Sequence, residues 1–512
     1  MDKTTVTPVQ TDDSINLLLN QLIKLGPKVT KNAAFRKTAL LMAEKWLIND
    51  GKNRYKKEPN TPARVIDDQT AMSLAILHSV ERVLADGKIS EATFNKASEV
   101  LGRDLLIEKE HRLAKSEEFR QKFGYNQPSL LLISPSKACN LRCTGCYADS
   151  DASLPHLEWD LVDKIITDAR NLWGVQFFPI SGGEPLAYRS QGKGILDLAE
   201  AHPDCYFMMY TNGTLITREV ADRIGKLGNM VPCISLEGWE ARTDARRGKG
   251  VFQKAMDAMD LLHEAGALYG TSLTATRENA EELLSDDFVD FLFNTKRVSI
   301  GWIFQYMPIG RSFTLDLMPT PQQRLWMWQK SWKLVREKKV FLADFWNHGT
   351  VVDGCLSAGG HGKGGYMYIE WNGNVTPCVF VPYSPVNIKE IYANGGDIND
   401  VYKEGFFKDI RDWQASQSAQ GKSLLTPCPI RDHNSVMRQL MRKHEATPID
   451  LSASQAIQDG NYAQGMDDYS REYSSLADQV WQRTYIEGKP MTDEEIETLI
   501  GVAEPEKMGA GS

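Results

Sequence analysis

The sequence of 512 residues predicts an α/β fold built around a parallel sheet, and three features carry that expectation. Between Pro128 and about Gly310, apolar runs at 130–134, 176–181, 206–210, 231–236, 269–276 and 299–305 read as strands. Amphipathic stretches at 160–172, 217–227, 252–265 and 278–293 lie between them, and strands separated by helices imply right-handed βαβ units. The motifs richest in chemistry fall where strand candidates end, the place where parallel barrels carry their active residues.

Ahead of these units, residues 1–125 read as a helical domain. Ile15, Leu18, Leu19, Leu22 and Ile23 recur at helical spacing, as do Leu40, Leu41, Trp46 and Leu47, and two further periodic stretches span 70–84 and 91–106. The plain reading is a small bundle packed on the core; the sharper one is a surface that recruits substrate or touches lipid. Residues 126–340 hold the core and 341–440 a turn-rich extension. Within that extension 366–371 alternates like a strand, and Asn372-Gly373 supplies a hairpin turn before Asn374-Val375-Thr376. Residues 441–512 read as a polar acidic tail, with about three acidic residues to each basic one beyond 450, a composition of solvated helices or a mobile tail, and 508–512 are expected to be disordered.

A content of 42% hydrophobic and 25% charged residues is ordinary for a globular protein, and a net charge of −8 argues against nucleic acid as the main partner. No run approaches 18 apolar residues, and residues 1–13 lack the apolar centre of a secretory signal. Eight cysteines are too few for a disulfide scaffold in a chain of this length, so a cytoplasmic, reducing setting is expected.

Three of those cysteines lie in the run Cys139-Asn140-Leu141-Arg142-Cys143-Thr144-Gly145-Cys146, directly after the first strand candidate. Their spacing lets one tight loop turn three sulfurs toward a common centre. Tetrahedral zinc wants four ligands, whereas three thiolates suit a cubane iron–sulfur cluster with one iron left open. A loop of this spacing at the end of a first strand resembles the radical S-adenosylmethionine (SAM) superfamily. The resemblance implies a partial (βα)6 TIM-type barrel and a 4Fe–4S cluster on Cys139, Cys143 and Cys146. In that family the open iron chelates SAM and reduces it, giving a 5′-deoxyadenosyl radical that abstracts hydrogen from a substrate. An electron donor such as a flavodoxin or ferredoxin is also implied. One position departs from the pattern: the family usually has an aromatic residue just before the third cysteine, and here it is Gly145, which makes Tyr147 the candidate for stacking near the adenine.

Further motifs follow in the order the resemblance requires. In Ser181-Gly182-Gly183-Glu184-Pro185 the glycines permit a sharp turn and close approach to a ligand, and Glu184 can receive an ammonium. By resemblance, this is the motif that holds the methionyl amino group. Tyr210-Thr211-Asn212-Gly213 and Ile234-Ser235-Leu236-Glu237-Gly238 end the third and fourth strands, which by resemblance sets Asn212 and Ser235 near the ribose and methionine of SAM. Arg246 or Arg247 could pair with its carboxylate. The plain alternatives are a helix cap for Thr211 and a solvated charge run for the arginines. The stretch Gln305-Tyr306-Met307-Pro308-Ile309-Gly310-Arg311 resembles one near the adenine in the subgroup with auxiliary clusters.

Cys355, Cys378 and Cys428 form a second group, and four residues separate Gly373 from Cys378. This hairpin resembles the start of a SPASM or twitch domain, which implies an auxiliary iron–sulfur cluster, and three cysteines allow at most one. Its fourth ligand could be substrate, water or a side chain; His348, His361 and His433 are nearby in sequence, and each is more simply a packing residue. A zinc site or buried structural thiols are the alternatives. Cys205 and Cys233 fall inside strand candidates and read as core.

The expected function is therefore that of a radical SAM enzyme, with peptide or protein modification favoured because it is frequent among family members with such extensions. The alternatives are lipid or cofactor biosynthesis, and a non-catalytic iron–sulfur electron-transfer protein, against which the 182–185 motif counts.

Overall fold

The computed structural model describes residues 32–99, 109–152, 155–362 and 364–501. The helix expected at 15–23, the end of the 91–106 stretch and the 508–512 terminus lie outside these residues.

Six strands coincide closely with the expected ones: β1 (Leu130–Ile133), β2 (Phe177–Ile180), β3 (Tyr206–Thr211), β4 (Met230–Leu236), β5 (Gly270–Ala275) and β6 (Gly301–Gln305). To these the structure adds β7 (Leu342–Asp344), β8 (Tyr366–Ile369), β9 (Asn374–Thr376), β10 (Tyr383–Ser384), β11 (Val386–Asn387) and β12 (Thr447–Pro448). The main sheet runs β11-β9-β8-β1-β2-β3-β4-β5-β6-β7, and every pair from β8 through to β7 is parallel. Its end strands are not paired with each other, so the barrel is partial.

Residue alternation divides the two faces of this sheet. In β3, Phe207 and Met209 face the helix-covered core with Ile165, Ile166 and Phe178. Tyr206 and Met208 turn the other way, toward Val231, Cys233 and Ile300 inside the barrel. The covering helices start and stop where their caps dictate. Trp159–Trp173 buries Val162, Ile165, Ile166 and Ala169 along one stripe and ends at the left-handed Gly174 (φ 68°). Pro321–Glu337 opens with a capping box, Thr320 accepting from the Gln323 N–H while the Gln323 side chain accepts from the Thr320 N–H.

One expectation is corrected and two are borne out with additions. The 278–293 stretch is not one helix: Ala280–Leu283 stops, Ser285 caps a new start at Asp286, and the chain closes in a π turn. The 366–376 hairpin forms, with its second arm antiparallel, but its first arm pairs in parallel with β1 (Leu130↔Tyr366, Ile133↔Ile369), so the extension continues the core sheet. Beyond 450 the chain is largely helical, one of the two readings expected, but it is packed rather than merely solvated. Gly460–Val480 buries Met466, Tyr473, Ala477 and Val480, a narrow stripe that the acidic composition conceals.

The helices Ala33–Lys57, Ala63–Asp86, Glu91–Lys96 and Lys109–Phe123 form the described part of the N-terminal region. Ser79 Oγ bonds the Ser299 carbonyl and Arg82 the Lys339 carbonyl (2.8 Å). Both carbonyls stand at the N-terminal ends of β6 and β7, opposite the end that carries the motifs. No described helix is long and apolar enough to cross a membrane.

Candidate active site

The cysteine loop and the 181–185 turn are docked backbone to backbone. The Gly183 N–H donates to the Ser136 carbonyl (2.9 Å) and the Glu184 N–H to the Ala138 carbonyl (2.8 Å). A Cβ on Gly183 would lie 2.1 Å from the Ala138 oxygen, and one on Gly182 would lie 2.5 Å from that of Ser136. Glycine is a steric requirement at both positions, and Gly182 also sits at φ 118°.

Glu184 is engaged by protein donors. Its buried carboxylate accepts from Thr211 Oγ1 (2.7 Å), the Asn212 N–H (2.8 Å) and the Leu186 N–H (3.1 Å), tying the end of β2 to that of β3. Burial pushes its pKa up, and those donors oppose the rise. A cavity of about 240 Å³ opens at the C-terminal ends of the strands, and neither Glu184 nor Pro185 lines it. Cys139, Cys143, Cys146, Tyr147, Gly182, Gly183, Asn212, Ser235 and Arg247 all do.

Polar clamps hold the loop around this cavity. Tyr147 places its hydroxyl 2.7 Å from Ser181 Oγ and accepts from the Gly182 N–H (3.2 Å), so its polar end is anchored in the turn. Arg246 donates to the carbonyls of Thr144 (3.0 Å) and Gly145 (3.2 Å) and pairs with buried Glu237 (2.6 Å). Arg247 pairs with the same Glu237 oxygen (2.6 Å), so both candidate carboxylate partners already share an internal carboxylate. From beyond β6, Arg311 bonds the Cys143 carbonyl (2.9 Å) and Asp149 (3.0 Å). That stretch therefore buttresses the cysteine loop, while its first residues, Gln305, Tyr306 and Met307, line the cavity. Tyr306 also accounts for Gly145: a Cβ there would meet the Tyr306 ring at 2.7 Å, so an aromatic just after β6 fills the space beside the third cysteine.

The donor set fits a three-thiolate cluster. Burial pushes Cys139 up to about 11 and raises Cys143, and the Arg247 guanidinium is the strongest group acting to lower Cys143. For Arg247 itself burial disfavours the charge, but Glu237 and the Cys143 sulfur outweigh it, so its pKa stands above the usual value. Thiols in such a place shed their protons on binding metal, with a cation beside them to balance the charge. Among the described residues no three Cys, His, Asp or Glu side chains converge tightly enough for a single metal ion. A polynuclear cluster takes each thiolate on a different iron and needs no such convergence.

Cys355, Cys378 and Cys428 come together around a smaller cavity of about 40 Å³, although 72 residues of chain separate the first from the last. Burial pushes Cys378 up to about 12 and raises the other two; the Cys355 sulfur adds to the rise of Cys378 and Cys428, and the Cys378 sulfur to that of Cys428. None of the three histidines lines this cavity. His348 packs against the Trp332 ring at a tilt of 36°, lies 3.0 Å from Ser331 Oγ, and burial drives it down to about 3. His433 bonds the Thr426 carbonyl (2.9 Å). Cys205 and Cys233 are fully buried in the core.

Sequence reasoning missed Glu237 as the arginine anchor and the aromatic wall of Trp302, Phe304, Phe345, Tyr366 and Phe380. Trp302 and Phe304 flank core-facing Ile303 in β6, an alternation that marks them as barrel-lining. The other three come from separate segments, and no local pattern joins them.

Residues 133–286 match the family model of the Radical SAM superfamily. The mycofactocin maturase MftC of Mycolicibacterium smegmatis is 29% identical over 311 residues, covering 59% of this chain and 76% of that protein. The AdoMet-dependent heme synthase of Methanosarcina barkeri is 25% identical over 297 residues, covering 52% of this chain and 80% of the synthase. Among solved structures, Streptococcus suis SuiB bound to S-adenosylmethionine aligns with a TM-score of 0.48 at 18% identity, over 62% of this chain and 76% of that one.

Proposed function

We infer that this chain, which carries a Radical SAM domain over residues 133–286, is a radical SAM enzyme that modifies a peptide or protein substrate. The observation that carries the reading is the three-cysteine loop locked onto the 181–185 turn at the mouth of a cavity that both line. The family implies a 4Fe–4S cluster and SAM, and a cluster held by Cys139, Cys143 and Cys146 would supply the one-electron reduction that breaks SAM and leads to hydrogen abstraction.

The chain's own residues do the rest. Gly182 and Gly183 offer bare backbone for a ligand to approach, and Tyr147, Asn212 and Ser235 surround the same space. Arg246 fixes the loop carbonyls, and Arg247 balances thiolate charge. Phe177, Met208, Tyr210, Trp302 and Phe304 give the same cavity a largely apolar wall.

We assign Cys355, Cys378 and Cys428 to an auxiliary iron–sulfur cluster, residues 126–340 to the core and 341–440 to the segment that holds this cluster. The reductant in this reading is a flavodoxin or ferredoxin, and nucleic acid has no part at a net charge of −8. The maturase among the similar proteins favours a peptide substrate. The heme synthase match, which spans 80% of that protein, favours cofactor synthesis as the second reading.

The test is anaerobic reconstitution followed by dithionite and SAM, with 5′-deoxyadenosine as the readout. Cys143→Ala is expected to abolish its release. Cys378→Ala is expected to retain part of it while stopping product formation, and equal loss from both variants would overturn the division of labour between the two cysteine groups.

A further inference from the structure

Tyr366, the first residue of β8, touches both cysteine-bearing cavities. Its ring lines each of them together with Phe345, Leu356 and Phe380, and among the described residues it is the only shared side chain with a polar atom. Its hydroxyl lies 2.8 Å from Cys378 Sγ, and both groups are buried. The rest of the partition is hydrocarbon: Phe345 meets Tyr366 edge-on at 6.3 Å and Phe380 at 5.7 Å between ring centroids.

A free thiol could act as the donor in this contact. A sulfur bound to metal has no proton, so Tyr366 must then donate. A hydrogen bond to a cluster sulfur favours the state carrying the extra electron and raises the reduction potential. The Phe380 N–H also points at this sulfur, at 3.5 Å, and no side-chain change removes that contact. Tyr366 is thus the adjustable donor, placed where the two cavities meet.

We propose that Tyr366 is a positioning residue that holds up the potential of the metal group on Cys355, Cys378 and Cys428, and that its ring is the partition between that group and the substrate cavity. The proposal rests on the auxiliary-cluster reading given above.

The test is a potentiometric titration, followed by electron paramagnetic resonance, of the reconstituted full-length enzyme and its Tyr366→Phe and Cys378→Ala variants. Iron per chain is counted in each. The transition that Cys378→Ala removes is expected to move to more negative potential in Tyr366→Phe with iron content unchanged, while the Cys143-dependent transition stays in place. A Cys378-dependent transition that does not move, or that moves only as iron is lost, overturns the proposal. A wild-type enzyme with no Cys378-dependent transition would instead sink the auxiliary-cluster reading, and this proposal with it.

Discussion

Replacing Gly183 by alanine tests the docking that the whole site depends on. The new Cβ would lie 2.1 Å from the Ala138 oxygen and 2.4 Å from that of Lys137, both backbone atoms that no rotamer change can move. The two segments must part by about 1 Å, an overpacking strain of about 1–3 kcal/mol. That separation also weakens the hydrogen bonds from the Gly183 and Glu184 N–H groups, each contributing about 1 kcal/mol. The combined penalty is about 3–5 kcal/mol, and its lower end corresponds to roughly a hundredfold in rate. Gly183→Ala is therefore expected to lose most of the iron at the first cysteine trio and to release 5′-deoxyadenosine at least a hundredfold more slowly. Gly460→Ala is the control, because a Cβ there meets nothing within 4 Å and should leave both measurements unchanged. A Gly183→Ala enzyme that keeps its iron and its rate would refute the claim that backbone contact holds the loop in place.

Two further outcomes follow from buried carboxylates. Asp68 is fully buried, pairs with Arg336, and accepts from Thr350 Oγ1 and the Tyr485 hydroxyl at 2.7 Å each, so it joins the N-terminal helices to both ends of the C-terminal half. Asp68→Ala removes the acceptor of the Thr350 and Tyr485 hydroxyls and the partner of Arg336, and should lower stability in urea by about 1–3 kcal/mol; no measurable loss would contradict the pairing. Glu370 caps the hairpin by accepting from the Asn372 and Asn374 N–H groups at 3.0 Å, and burial raises it to about 7. A folded-state pKa above the unfolded value means that its contribution is complete below about pH 4.5 and is lost as pH rises through 7. Glu370→Gln should flatten the fall in stability between pH 5 and 8, and an unchanged slope would count against the raised pKa.

The local features were legible because their causes are local. Alternating burial along β3 and β6 appears as period-two apolarity, and the break at Ser285 is a cap that could have been read from the residue itself. The stripe Met466, Tyr473, Ala477 and Val480 was also present in the sequence, but averaging charge over the segment hid it. Glu184 was recognised as a site residue, yet its partners were not, since Thr211 and Asn212 reach it from another strand.

By itself the sequence determined the six core strands, three of the helices between them (160–172, 217–227 and 252–265), and the loop that presents three thiols at a strand end. These depend on side-chain periodicity and on spacings of a few residues. Tertiary structure alone decided that β8 would pair with β1, that Tyr306 would fill the space above Gly145, and that Cys355, Cys378 and Cys428 would meet behind Tyr366. Periodicity tells which face of an element must be covered, but which distant segment covers it depends on how the whole chain packs.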